Sequence, residues 1–223
     1  MTMATVLVVA AHPDDEVLGC GGAIAKHVAN RDSVHVIILG EGVLSRQGSQ
    51  HAQLAQTRAD CRKANQILGV HELTLNGYPD NRLDSIDRLE IVKFLEGQLE
   101  RLSPEIVYTH HWSDVNIDHN RINECMLAAC RPLPGRSVKR LLFFEVPSST
   151  EWRGPQYCFN PNWFVDIADW LERKLAALDA YGGELREFPH ARSREAVAHL
   201  ARWRGATVGV AAAEAFVLAR NIC

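Results

Sequence analysis

The segment Val6-Leu7-Val8-Val9-Ala10 is an uninterrupted apolar run that leads straight into Ala11-His12-Pro13-Asp14-Asp15-Glu16. A continuous run of this kind reads as a strand buried on both faces. An imidazole and three carboxylates therefore collect at a buried strand's end. Like charges a few ångströms apart resist ionising together, and packing gives no reason to gather them. A divalent cation removes that conflict. His12 and Asp15, three residues apart across a turn that opens a helix, can face one ion and leave Asp14 for proton transfer. A helix N-cap cluster held by the dipole would account for one acid, not three.

The rest of the chain alternates strand and helix. Helices are predicted over 19–30, 52–68 (closed by Gly69), 85–102, 121–130, 169–184 and 193–204. Strands are predicted over 34–39, 71–75, 106–109 and 141–146, with a loop over 40–50, a turn over 76–81 and a short apolar tail over 211–219. Such alternation implies an α/β fold: three layers, with helices on both faces of a doubly wound, mostly parallel sheet. We expect a single domain over residues 1–223. In the common strand order 3-2-1-4-5, strands one and four are neighbours where the winding reverses, and ligands bind beyond their carboxyl ends. Strand four runs into Thr109-His110-His111-Trp112-Ser113-Asp114-Val115-Asn116-Ile117-Asp118-His119. Two His/Asp clusters about a hundred residues apart are thereby expected to meet.

Composition narrows the function further. A net charge of −3 argues against binding nucleic acid or an anionic membrane surface, which needs a basic face. No stretch of about 18 apolar residues exists to span a bilayer. The apolar start has no basic segment ahead of it and no small-residue cleavage site behind it, so no secretory leader is expected. The six cysteines form no C-x-x-C pair and read as reduced thiols of an intracellular, cytoplasmic protein.

The glycines Gly19, Gly21 and Gly22 raise a dinucleotide site as a competitor, with Glu41 in the ribose position. The fingerprint wants a small residue where Ile24 stands, and three acids ahead of the glycines would repel a pyrophosphate. Close packing of the first helix on the sheet explains them better. For the metal we select His12, Asp15 and His119, a three-ligand set that leaves a position open to water. Zn2+ suits it, and Fe2+ or another divalent ion fits the same donors. His119 is preferred to His110 and His111 because Asp118 precedes it at the start of a helix.

The run His12-Pro13-Asp14-Asp15-Glu16 with the later Asn116-x-Asp118-His119 resembles the LmbE-like family of zinc-dependent de-N-acetylases related to PIG-L. The resemblance extends to Arg58 and Leu68-Gly69-Val70, to Pro189-His190-x-Arg192-Ser193 and to Ala213-Glu214-Ala215-Phe216. It implies a Rossmann-like fold, zinc on His12, Asp15 and His119, and Asp14 as catalytic base. The chain departs from it twice, with Asn116 where many members carry a histidine and Cys61 where many carry a glutamate. Asn116 or His111 then becomes the candidate to assist at the oxyanion, with Asp118 behind the metal ligands. Arg58 and Arg192 are candidate substrate contacts, Arg58 for an anionic group, and Arg46, Tyr78, Trp112 and Trp152 could line the rim. The expected substrate is an N-acetylglucosamine-type unit, free or conjugated. A bulkier acyl amide, or glycan binding without catalysis, are the alternatives. The resemblance also allows a homo-oligomer.

Overall fold

The computed structural model describes residues 3–42, 51–156 and 158–223. Five strands, β1 (Thr5–Ala10), β2 (Ser33–Gly40), β3 (Glu72–Tyr78), β4 (Ile106–His110) and β5 (Arg140–Phe144), run parallel in the order β3-β2-β1-β4-β5. The sheet continues through β7 (Ala213–Asn221) to the edge strand β6 (Trp163–Asp166), with β7 antiparallel to both neighbours. The helices are α1 (Asp15–Ala29), α2 (His51–Leu68), α3 (Arg88–Leu102), α4 (Ile117–Ala129), α5 (Leu171–Asp179) and α6 (Arg194–Ala206).

Alternation along β1 splits the core in two, because successive side chains leave a strand on opposite faces. Val6, Val8 and Ala10 pack with Ile24 of α1, Leu68 of α2, Leu175 of α5 and Val197 of α6. Leu7 and Val9 pack with Ile91 and Leu95 of α3 and with Ile122 and Met126 of α4. Both faces of the central strand are dry, which is why its sequence is apolar without a break.

Five elements differ from their sequence expectations. The apolar tail is strand β7, and its partner β6 was not anticipated, since four residues at a sheet edge, three half-buried and one exposed, leave little periodicity to read. Helix α1 starts at Asp15, four residues before the predicted start, and bends at Cys20 (φ −147°, ψ 22°). Gly19 and Gly22 do serve close packing: a Cβ on Gly19 would lie 2.3 Å from the Phe144 ring, and one on Gly22 would lie 2.7 Å from Ile167. Helix α4 begins at Ile117, four residues before its predicted start, because the Asn116 side-chain oxygen Oδ1 caps it, accepting from the N–H groups of Asp118 (2.9 Å) and His119 (3.4 Å). That early start puts Asp118 and His119 in the first turn, beside the end of β4. Helix α5 is shorter than expected, preceded by a 3₁₀ turn at Ala168–Trp170.

Candidate active site

The winding reverses between β1 and β4, and the polar residues gather beyond the carboxyl ends of β1, β3 and β4, where open α/β sheets bind ligands. His12 and Asp15 come from the turn after β1, His119 from the first turn of α4. His12 Nδ1 lies 3.4 Å and His119 Nε2 3.2 Å from the same oxygen, Asp15 Oδ2. One ligand atom from each of the three residues lies within 4.8 Å of the others, and all three side chains are buried.

The outer nitrogen of each ring faces a carboxylate. His12 Nε2 is 3.0 Å from Asp118 Oδ2, and His119 Nδ1 is 3.0 Å from Asp114 Oδ2. Metal-ligating histidines are oriented in this way, with the distal nitrogen donating to a carboxylate. The carboxylates are themselves fixed. Asp118 accepts from the Leu83 N–H at 2.9 Å, while Asp114 accepts from the Ser149 hydroxyl, from Thr150 Oγ1 at 2.8 Å and from the Asn116 N–H at 2.8 Å. Asp15 Oδ1 is buried without a hydrogen-bond partner, and both His119 ring nitrogens meet their carboxylates at ion-pair distance without a well-aligned hydrogen bond. Leaving a buried polar atom unanswered costs about 1–3 kcal/mol. Two imidazoles and a carboxylate with ligand atoms this close together, and with a buried carboxylate oxygen left unanswered, fit a divalent cation.

The charges reinforce one another. Burial alone would lower the His12 imidazole, but its bonds to Asp118 and Asp15 and the charges of Asp15 and Asp80 carry it up to about 10. Burial would likewise lower His119, yet Asp15 and Asp114 raise it to about 9. Asp15 is held well below the ordinary carboxylate range, burial being overcome chiefly by His119. His110 is pushed down by burial and by His119, and its Nε2 accepts from the Ala11 N–H at 2.8 Å. It stays neutral and anchors the turn that carries His12.

Asp14 stands apart from this triad. Its backbone is left-handed (φ 104°, ψ −29°), a conformation that costs a non-glycine residue roughly 1–3 kcal/mol. Its carboxylate lies 3.1 Å from Arg192 Nη1, and Arg192 Nε donates to Ser148 Oγ at 2.6 Å. Burial drives Asp14 up to about 8 against the pull of Arg192. Asp14, Arg192, His12, Asp80, Asn116 and Glu184 are among the residues lining a small cavity of about 80 Å³. The Asn116 amide faces this cavity with its nitrogen, which donates to Asn81 Oδ1 at 3.0 Å, because its oxygen is committed to the helix cap.

Two predicted site residues are not brought here. His111 leaves the end of β4 on the other side from His110, accepts from the Ser113 N–H at 3.0 Å, and lies among Trp112, Phe143 and Phe159. Burial lowers it to about 4, so it sits as a neutral core imidazole. Arg58 pairs with Glu41 at 3.3 Å and is absent from the cavity wall among the described residues. Cys61, one turn further along α2, is buried, with its Sγ 3.6 Å from Asn65 Nδ2. Of the rim candidates, Tyr78 packs on Phe94, Trp112 and Trp152 are exposed, and Arg46 lies outside the described residues.

Asp114 and Asp80 were not singled out from the sequence. Asp114 was visible inside the His110–His119 run. Asp80, whose Oδ1 lies 3.3 Å from His12 Nε2, follows β3 by two residues, an address that the carboxyl-end rule could have flagged.

Residues 7–130 match the family profile described as PIG-L: GlcNAc-PI de-N-acetylase. The chain is 28% identical over 179 residues to the uncharacterized deacetylase YaiS of Escherichia coli K12, covering 78% of this chain and 88% of that protein. It is 29% identical over 201 residues to 4-oxalmesaconate hydratase of Pseudomonas putida KT2440, covering 80% of this chain and 73% of the other. The fold superposes with a TM-score of 0.79 on N,N'-diacetylchitobiose deacetylase from Pyrococcus horikoshii, at 22% identity, covering 97% of this chain and 84% of that one.

Proposed function

As a member of the PIG-L family, this chain is, we propose, a metal-dependent hydrolase that removes the N-acetyl group from an N-acetylglucosamine-type amino sugar or a conjugate of one. One observation carries this assignment: two adjacent carboxylates are committed to different partners. Asp15 turns inward to His12 and His119, while Asp14 faces the cavity and Arg192. A pure binding site has no use for a second carboxylate kept out of the metal triad and turned to the cavity.

His12, Asp15 and His119 would hold the cation, Zn2+ by ligand type, with Fe2+ compatible with the same donors. When bound, it supplies a water of lowered pKa and polarises the amide carbonyl. Asp14 takes the proton from the attacking water and returns it to the departing amine. Arg192 orients Asp14 and favours its ionised form beforehand. Asn116, able to present only its NH₂ to the cavity, donates to the acyl oxygen as charge builds there. Asp118 and Asp114 hold the two imidazoles in register. Arg58 keeps no part in this assignment beyond its pairing with Glu41.

A test loads the protein with Zn2+ or Fe2+ and follows acetate and free amine over a panel of N-acetylated amino sugars. We expect stoichiometric release of both products. Asp14→Asn should lower turnover by about 10²–10⁴-fold, the usual contribution of a positioned acid–base group, with bound cation unchanged. A wild-type rate in Asp14→Asn would remove the role given to that residue. Release of only bulkier acyl groups, sugar binding without hydrolysis, or hydratase activity in place of hydrolysis (the reaction type in one relative's name) would overturn the substrate assignment.

A further inference from the structure

Glu16, the last residue of the His12–Glu16 run, has no part in the chemistry above, yet it is fully buried. One carboxylate oxygen accepts from the Asp14 N–H at 3.1 Å. The other accepts from Asn65 Nδ2 of α2 at 2.9 Å and from the Tyr181 hydroxyl, two residues past α5, at 2.5 Å. Tyr181 is itself buried, and Asn65 Nδ2 is tied back to the Cys61 carbonyl at 2.9 Å. Two segments distant in sequence thus converge on one carboxylate, and its remaining bond reaches the backbone of Asp14.

Asp14 needs such a bond. It is the left-handed residue of the turn, and its side chain makes no cap to the helix it precedes. A strained conformation persists only where its surroundings over-determine it. The turn also separates the two carboxylates: Asp14 reaches Arg192, while Asp15 reaches His119. A relaxed Asp14 would lose its aim into the cavity, and the triad could stay intact.

We propose that Glu16, braced by Asn65 and Tyr181, is a positioning residue that locks the left-handed backbone of Asp14 and so aims its carboxylate at the substrate. The inference builds on the hydrolase assignment, and its test includes a readout independent of that assignment. In metal-loaded protein, hydrogen exchange of the Asp14 amide should be at least about tenfold faster in Tyr181→Phe and faster still in Glu16→Met, which keeps length but loses both acceptors. Tyr181→Phe is the milder change and guards against a Glu16 variant that fails to fold.

With an acetylated sugar as substrate, Tyr181→Phe should lower kcat roughly tenfold, with KM and bound cation unchanged. In an Asp14→Asn background the same substitution should leave the residual rate where it was, because the two act through one group. Unchanged exchange at Asp14, or an equal loss of kcat in both backgrounds, would overturn the proposal. Should no acetamide be hydrolysed, the exchange measurement still decides it.

Discussion

Lys174 and Glu214 are buried as deeply as His12 and Asp15, yet the two clusters answer their charges differently. Lys174 Nζ lies 2.6 Å from Glu214 Oε1 and donates to the Leu18 carbonyl at 2.8 Å. Glu214 also accepts from the N–H groups of Gly22 and Ala23, at 2.8 and 2.6 Å. Those backbone groups flank the bend of α1 at Cys20, so one neutral ion pair satisfies what the broken helix leaves open. At the sheet's switch point, five carboxylates (Asp14, Asp15, Asp80, Asp114 and Asp118) face Arg192 and the imidazoles of His12 and His119. Carboxylates outnumber the cationic groups there even with both rings protonated, and Asp15 Oδ1 is buried without a hydrogen-bond partner. A closed cluster is structural. An open one, short of positive charge, is built to receive something.

Breaking the closed cluster should therefore cost the most stability. Lys174→Met leaves a buried carboxylate unpaired, and unfolding in urea should register a loss of about 3–5 kcal/mol. Adding Glu214→Gln should recover much of it, since removing both charges together is often close to neutral. Bound cation should be unaffected in either variant; a parallel loss of cation would mean the two clusters are not separate.

The open cluster should respond to its ligand instead. Restoring Zn2+ to chelator-treated protein at about a hundredfold excess over Kd should stabilise it by about 2.7 kcal/mol, read as a rise in Tm of roughly 5–10 °C for a chain of this size. His119→Ala should abolish the rise and Lys174→Met should keep it. A rise that survives His119→Ala would relocate the metal.

Arg58 lies outside both clusters. Its partially exposed pair with Glu41 should be worth less than about 1 kcal/mol, and Arg58→Ala should leave hydrolysis of a neutral acetylated sugar unchanged. A large rise in KM for that substrate would return Arg58 to the binding site.

Much of the site was legible because the residues sit in runs. His12, Asp14 and Asp15 stand together after an apolar strand, and His119 follows an aspartate in a second run. A shared strand-end address joined them. Less legible were the partners that decide what each side chain does. His110 and His111 are neighbours of equal chemical promise, and the face of β4 that each leaves from sends one beneath the triad and the other among aromatic rings. Arg58 and Arg192 looked alike as cations, and only Arg192 meets Asp14. Edge strand β6 was missed because it is too short to carry a pattern.

Sequence by itself determined the periodicity of the sheet and helices, and the kinds of ligand available at the end of β1, because residue spacing and donor chemistry are local properties. Tertiary structure alone decided which carboxylate holds which imidazole, that Glu16 is tied to Asn65 and Tyr181, and that Lys174 closes the bend of α1. The physical reason is distance along the chain. Glu16 and Tyr181 are separated by 165 residues and meet at 2.5 Å, a contact that no local pattern encodes and that the packing of α1, α2 and α5 on one face of the sheet creates.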